Sequence, residues 1–271
     1  MTRPVPQITL NNGVTMPRLG FGGFQVGERE IATALESGYR SIDTASAYGN
    51  EADVGRALRS SGIARDQVFV TTKVWNTNQG HGNTLAAFDA SLARLQLDYV
   101  DLYLVHWPAP ARNTYLETWQ ALEKILADGR ARAIGVSNFR PADLQRLLDN
   151  SGTVPAVNQI ELHPHLQQAE LRAFHDRHGI ATEAWGPLAR GGLLRNPAIT
   201  AIAGRLGRTP AQVVLRWHLQ LGNIVIPKSA TPERIRQNFD VFGFELTDAD
   251  MATIAALDNG TRTGPDPDTF N

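Results

Sequence analysis

Four residues of this chain have types and settings that together could move a proton onto a substrate: Asp43, Tyr48, Lys73 and His106. Asp43 closes the short apolar step Ser41-Ile42-Asp43, and Tyr48 follows five residues later in Ser46-Ala47-Tyr48-Gly49-Asn50-Glu51. A phenol can donate a proton, but a reference pKa of about 10 makes it a weak acid near neutrality. A cation beside it favours the phenolate and lowers that value. Lys73 follows Val68-Phe69-Val70-Thr71-Thr72 and could supply the cation. Taken alone, a lysine at a strand end more often points into water. Drawn inward, its ammonium would need a carboxylate such as Asp43 to offset the cost of burial. His106 follows the apolar run 100–105. A core histidine with its bonds satisfied is common there, but a neutral imidazole could also donate a hydrogen bond to a substrate oxygen beside Tyr48. Phe24, Trp75 and Trp107 fall near strand ends and suggest an apolar wall around a substrate, with Asn76 as one polar handle.

Something must bring these residues to one place. Short apolar runs, each read as a strand, occur at 19–22, 41–43, 68–72, 100–105, 133–136, 157–160, 181–184 and 223–226. Most lack polar alternation, as strands covered on both faces do. Between them, apolar residues recur at helical spacing: Ile31, Ala34 and Leu35; Val54, Ala57 and Leu58; Leu85, Phe88, Leu92 and Leu95; Tyr115, Trp119, Leu122 and Leu126. Gly38, Gly62, Gly129, Gly179 and Gly207 stand where helices would stop. Thr209-Pro210 and Thr231-Pro232 read as helix caps, and Thr247 to Asp250 as a capping box. Strand–helix alternation repeated about eight times points to an α/β fold, a (β/α)8 TIM barrel. A doubly wound sheet would carry a GxGxxG turn after its first strand, and none occurs. Ile8 to Pro17 reads as a short N-terminal β-hairpin about Asn12-Gly13. With no linker or composition shift, residues 1–271 are read as one domain, with an irregular tail over 260–271. In such a barrel the groups at the strand ends share one mouth. Here they are Asp43, Lys73, His106, Ser137 with Asn138, Gln159, Trp185, and Lys228 with Ser229.

The bulk numbers fit this picture. The 271 residues are 42% hydrophobic and 20% charged, with a net charge of -1 and no cysteine. A balanced charge argues against a nucleic-acid partner, and the lack of cysteine excludes disulfides and thiolate chemistry. No run reaches the ~20 apolar residues of a membrane span, and the stretch Met1 to Leu10 has no signal-peptide core. A soluble cytoplasmic protein with no membrane partner is expected. Glu161, His163 and His165, and His175 with His178, match no zinc motif, so no metal site is expected.

Several motifs in order resemble the aldo-keto reductase family, nearest its bacterial 2,5-diketo-D-gluconate reductase branch. They are Asp43-x-Ala45-x-x-Tyr48-Gly49-Asn50-Glu51, Thr72-Lys73-x-Trp75, Asp101-Leu102-x-Leu104-x-His106-Trp107-Pro108, Gly135-Val136-Ser137-Asn138-Phe139, Asn158-Gln159-x-Glu161-x-His163-Pro164 and Ile226-Pro227-Lys228-Ser229. The resemblance runs from about Ile8 to about Leu257. It implies a barrel that reduces carbonyls with NADPH. Tyr48 would then be the proton donor, Lys73 would lower its pKa, Asp43 would be the counter-ion and His106 would position the carbonyl. Ser137, Asn138 and Gln159 match positions that meet the nicotinamide carboxamide, and Trp185 stands where an aromatic stacks on its ring. The loop Gly186-Pro187-Leu188 onward matches the one that folds over the pyrophosphate. Lys228, Ser229 and Arg234 match the site of the 2′-phosphate, with Asn238 near adenine and Gln237 where Glu is usual. The segment from Val26 to Gly38 is about one helical turn shorter than the family pattern, and the tail after Asp258 is short. Both flank the mouth, where substrate is selected.

The function expected is therefore reduction of aldehydes or ketones, keto sugars or dicarbonyls among them, to alcohols. The family leans to monomers, so a small-molecule carbonyl is the expected partner. A cofactor-binding regulatory module of the same fold is the alternative, although no long interaction segment occurs. An unrelated hydrolase or isomerase barrel would need a carboxylate pair or a metal cluster at the mouth.

Overall fold

A computed structural model describes residues 5–271; the first four residues of the amino-terminal stretch read above lie outside them. Strands β1 (Gln7–Thr9) and β2 (Thr15–Pro17) pair antiparallel. Gly13, at φ +86°, makes the turn that Asn12-Gly13 announces, and Leu10 N donates to Val14 O at 2.8 Å.

Eight further strands follow: β3 (Phe21–Gly22), β4 (Ser41–Asp43), β5 (Phe69–Val74), β6 (Val100–Val105), β7 (Ala131–Ser137), β8 (Val157–Glu161), β9 (Ala181–Trp185) and β10 (Ile224–Val225). They pair in sequence order, all parallel. The sheet closes on itself through a parallel bridge between Leu19 and Val225, where Gly20 N donates to Val225 O at 3.0 Å and Val225 N to Arg18 O at 2.9 Å. The expected (β/α)8 barrel with its hairpin is what the chain adopts. Three strands run further than their apolar runs. Lys73, Ser137 and Glu161 lie inside β5, β7 and β8, because the ladder continues through polar residues that turn inward.

Among the described residues eight α-helices connect the strands and two follow β10: α1 (Glu28–Ser37), α2 (Glu51–Ser60), α3 (His81–Leu95), α4 (Tyr115–Ala127), α5 (Pro141–Asn150), α6 (Ala169–His178), α7 (Pro197–Leu206) and α8 (Pro210–Gln220), then α9 (Pro232–Phe239) and α10 (Asp248–Ala255). Their apolar stripes face the barrel: Ile31, Ala34 and Leu35 of α1, for example, are buried. Thr209 caps α8 and Thr247 caps α10 through reciprocal bonds with Gln212 and Asp250. Thr231 makes no side-chain cap for α9; its backbone N–H donates instead to Ser229 Oγ at 3.1 Å.

The barrel interior has two halves. Leu10 and Met16 of the hairpin pack with Phe69, Leu102, Leu104, Val157 and Ile224 at the amino-terminal end. Towards the other end the inward positions are polar or aromatic. Ser41 leads to Asp43, Leu104 to His106, Val157 to Gln159 and Glu183 to Trp185, each at the period of two that keeps a strand's side chains on one face. Beyond Ala255 the described chain has no further helix or strand, as expected of the tail. No described helix is long and apolar enough to cross a membrane.

Candidate active site

The four residues read first as chemical converge at the mouth. Lys73 is fully buried, and its Nζ donates to Asp43 Oδ1 at 2.7 Å, to Thr44 O at 2.9 Å and to Tyr48 Oη at 3.4 Å. The spacing from Asp43 to Glu51 explains how Tyr48 gets there. A 3-10 turn, Ser46–Tyr48, is pinned to β5 by Ser46 Oγ donating to Lys73 O at 2.9 Å. Gly49, at φ +70°, reverses the chain. Asn50 then accepts from Thr44 Oγ1 at 2.7 Å and donates to Gly23 O at 2.7 Å and Val26 O at 2.8 Å, which fixes the loop carrying Phe24. Gly23 must be glycine, since a Cβ there would lie 2.5 Å from Asp43 O. The His106 ring meets Tyr48 edge-on at 5.7 Å and Trp75 at 5.0 Å.

Burial, reinforced by the charge of Lys73, holds the His106 pKa well below its ordinary value, so the ring is neutral near neutral pH. Burial alone would lower the pKa of Lys73, but Asp43 and Tyr48 outweigh it, and the ammonium is held above its ordinary value. Tyr48 differs from the sequence expectation. Lys73 does pull its phenol down, but burial outweighs that pull, Asp43 and Glu183 add to the rise, and the net direction is upward.

Glu183 is a member of this cluster that the sequence reading missed. It is fully buried on the inward face of β9, bonded to Gln159, and its carboxyl is pushed up to about 8, first by burial and then by Asp43. An acid inside the apolar run 181–184, two residues before Trp185, was the signal available in the sequence.

The candidate cofactor residues surround the same opening. Gln159 gives both amide hydrogens to carboxyl groups, Asp43 Oδ2 and Glu183 Oε2, each at 2.8 Å. Asn138 Nδ2 donates to His106 O and Ser137 Oγ, both at 3.0 Å, while Asn138 Oδ1 accepts from Trp185 Nε1 at 2.8 Å. Ser137 Oγ donates to Gln159 O at 2.8 Å. The segment Gly186, Pro187 and Leu188 runs into a 3-10 stretch, Ala189–Arg195, in which Ala189, Arg190 and Gly191 all have positive φ. Beyond β10, Lys228 and Arg234 are exposed and, among the described residues, unpaired, and Ser229 sits between them at the start of α9. Gln237 donates to Glu233 at 3.0 Å, one turn earlier on α9; Asn238 is buried with no hydrogen-bond partner for its side chain among the described residues.

The aromatic wall forms as expected, with one addition. Phe24 is 51% exposed and meets Tyr48 edge-on at 5.1 Å. Trp75 and Trp107 are joined by Phe270 of the tail, whose ring centre lies 6.0 Å and 4.6 Å from theirs. Asn76 is buried, with neither side-chain polar atom hydrogen-bonded among the described residues. The tail reaches the mouth because Glu161, also fully buried, grips it. Glu161 accepts from Thr263 N and Oγ1, both at 2.6 Å, and from Gly264 N at 3.1 Å. Gly264 packs so tightly on Trp185 that a Cβ would lie 2.3 Å from the indole. Arg140 pairs with Asp266 and Asp268 of the same tail. The family resemblance put this tail beside the mouth, but no periodicity marks it, so its anchors at Glu161 and Arg140 and the contact of Phe270 were hidden.

Residues 18–259 match the model of the aldo/keto reductase family. The chain belongs to the aldo-keto reductase family. It is 57% identical to an aldo-keto reductase of Mycolicibacterium smegmatis, over 98% of each chain. It is 51% identical to methylglyoxal reductase DkgA of Yersinia pestis, over 98% of this chain and 97% of that one. The structure of a point variant of Gox0644 in complex with NADPH superposes with a TM-score of 0.95 at 46% identity, covering 99% of this chain and all of the other. Within this aldo-keto reductase, the buried ion pair, the phenol and the neutral imidazole form one contiguous cluster at the carboxyl ends of the strands, where barrels of this kind build their sites.

Proposed function

We propose that this chain, acting as a single barrel domain, reduces aldehydes and ketones to alcohols with NADPH, with Tyr48 as the proton donor. One observation carries the reading: a fully buried ammonium, Lys73 Nζ, lies 3.4 Å from the phenol oxygen of Tyr48 at the open end of the barrel.

The donor set fits the cofactor. Gln159 Oε1 has no partner among the described residues while both its N–H groups are engaged, leaving an acceptor for a carboxamide N–H. Trp185 offers a flat face held by Asn138. Ser137 and Asn138 complete that side. The turn at Gly186, Pro187 and Leu188, with the residues of positive φ after it, suits close approach to pyrophosphate. Lys228, Ser229 and Arg234, two unpaired cations and a hydroxyl, suit a dianionic 2′-phosphate, with Gln237 and Asn238 beyond them. When bound, the dinucleotide supplies the hydride.

The residues of the chain do the rest. Neutral His106 donates a hydrogen bond that orients the carbonyl oxygen. Tyr48 Oη gives that oxygen its proton, and Lys73 stabilises the phenolate left behind. Asp43 balances Lys73 throughout, so charge moves inside a prearranged field rather than through reorganising water. Phe24, Trp75, Trp107 and Phe270 form an apolar enclosure, with Asn76 buried beside Trp75. Together with a close relative named methylglyoxal reductase, this supports small dicarbonyls among the substrates.

The test follows NADPH absorbance with a panel of aldehydes, dicarbonyls and keto sugars. Tyr48→Phe should lower kcat by about 10²–10⁴ while NADPH still quenches protein fluorescence. Full activity in that variant would refute the assignment of the acid.

A further inference from the structure

Glu183 has no role in the reaction as just described, yet its position is costly. It lies two residues before Trp185 on the inward face of β9, fully buried. One amide, Gln159 Nε2, ties it to Asp43 by donating 2.8 Å bonds to Glu183 Oε2 and Asp43 Oδ2. Asp43 has a cation on its other oxygen, Lys73 Nζ at 2.7 Å. Glu183 has none, and its Oε1 has no partner among the described residues. Two carboxylates around one ammonium would leave a negative charge uncompensated in the interior, which is strongly unfavourable. The group balances only when one carboxyl holds a proton, and Glu183 is the one without a cation.

We propose that Glu183 is a positioning residue of the reaction: through the Gln159 amide it is locked to Asp43, and its proton decides how much negative charge Lys73 must balance when Tyr48 gives up its own. The proposal rests on Tyr48 being the acid, as proposed above. The titratable groups that face Glu183 are Asp43 of β4, Lys73 of β5 and Tyr48 of the turn after β4; β8 presents the neutral Gln159, and β10 pairs with it through Ile224. While Glu183 is neutral, Lys73 serves Asp43 and the nascent phenolate alone. Once Glu183 ionises to solvent, its charge makes Tyr48 hold its proton more tightly. Glu183 therefore titrates first and keeps the phenol loaded further into the alkaline range, consistent with a carboxyl pushed up to about 8.

Glu183→Gln keeps an acceptor for Gln159 but removes the titration. In the pH profile of kcat/KM for NADPH-dependent reduction, its alkaline limb should fall about one pH unit below that of the wild type, as expected for closely coupled groups. The KM for NADPH should change little. Glu183→Leu, which strips Gln159 of that acceptor, should raise the KM for NADPH several-fold. Infrared spectra of the protein without cofactor provide a readout independent of turnover. The wild type should show a protonated-carboxyl stretch near neutral pH that is lost on titration through pH 8 and is missing from Glu183→Gln. If that variant fails to fold, loss of the band in Glu183→Leu assigns it instead. Absence of the band near neutrality, or an alkaline limb unmoved in Glu183→Gln, overturns the assignment. A wild type that shows the band but reduces no carbonyl would overturn the proposed function instead.

Discussion

Replacing Glu161 by Gln should release the tail that packs Phe270 against Trp75 and Trp107 at the proposed substrate site. Glu161 ends β8, has no exposed surface, and receives Thr263 N, Thr263 Oγ1, Gly264 N and His163 Nε2 at 2.6–3.2 Å. Burial alone would raise its pKa, but those bonds outweigh it and hold the carboxyl down at about 2, from 4.5. A pKa unit is worth about 1.4 kcal/mol, so the grip is worth at most about 3–4 kcal/mol. Gln keeps an accepting oxygen for Thr263 but places an N–H₂ where Oε2 accepts from Gly264 N and faces Arg262, and the bonds that remain are no longer charge-assisted. Because the folded pKa is depressed, this stability is fully present above the unfolded pKa of about 4.5 and is lost as pH falls towards 2. By about pH 3 more than half of it is gone. Urea unfolding of both proteins should thus show Glu161→Gln weaker by about 2–3 kcal/mol at neutrality, with the gap narrowing in acid. Amide exchange at Thr263 and Gly264 should speed up in the variant. With Phe270 no longer held against Trp75 and Trp107, KM for small carbonyls should rise. A stability gap that stays constant down to acid pH, or unchanged exchange at those two amides, would refute the reasoning.

The other expected outcomes concern charge. Lys73→Met should cost about 3–5 kcal/mol in urea unfolding because it strands Asp43, and Lys73→Met with Asp43→Asn should recover part of that; equal losses in both would mean the pair is not coupled. Lys228→Ala and Arg234→Ala should each raise KM for NADPH roughly tenfold or more, the worth of a charge-assisted bond, and leave KM for NADH nearly unchanged. Equal effects on both cofactors would place the 2′-phosphate elsewhere.

The barrel and the phenol–amine cluster were legible because both are written locally. Polar residues closing apolar runs mark strand ends, and Asn12-Gly13 marks a hairpin whatever surrounds it. Lys73, Ser137 and Glu161 fell just beyond the apolar runs read as strands, whereas the ladders continue through them, since a polar side chain that finds partners inside a barrel has no reason to end the pairing. Glu183 was visible as an acid inside an apolar run, but nothing local says that an amide on β8 will bridge it to Asp43 on β4. The tail was legible as irregular and, through the family resemblance alone, as flanking the mouth, but its anchors were not legible. Thr263 bonds Glu161 across 102 residues and Asp266 pairs with Arg140 across 126, separations at which no spacing rule operates.

The polar residues at the mouth also meet one another, and this bears on how the site can work. Asn138 spends both amide hydrogens on His106 O and Ser137 Oγ, and its oxygen holds the Trp185 indole. Gln159 spends both of its own on the two carboxyls. The backbone of His106, the Trp185 platform, the Asp43–Lys73 pair and hence the reach of Lys73 to Tyr48 are therefore linked through two side-chain amides before any ligand arrives. What Gln159 keeps in reserve is a single acceptor, Oε1. A ligand that satisfies it need not displace any existing bond, so binding costs little rearrangement of the groups that stabilise charge. Electrostatic catalysis depends on dipoles already in place when charge develops. The interior can supply them here because the hairpin and the leucines of β6 fill the opposite end of the barrel, confining the polar cluster to the half that opens outward.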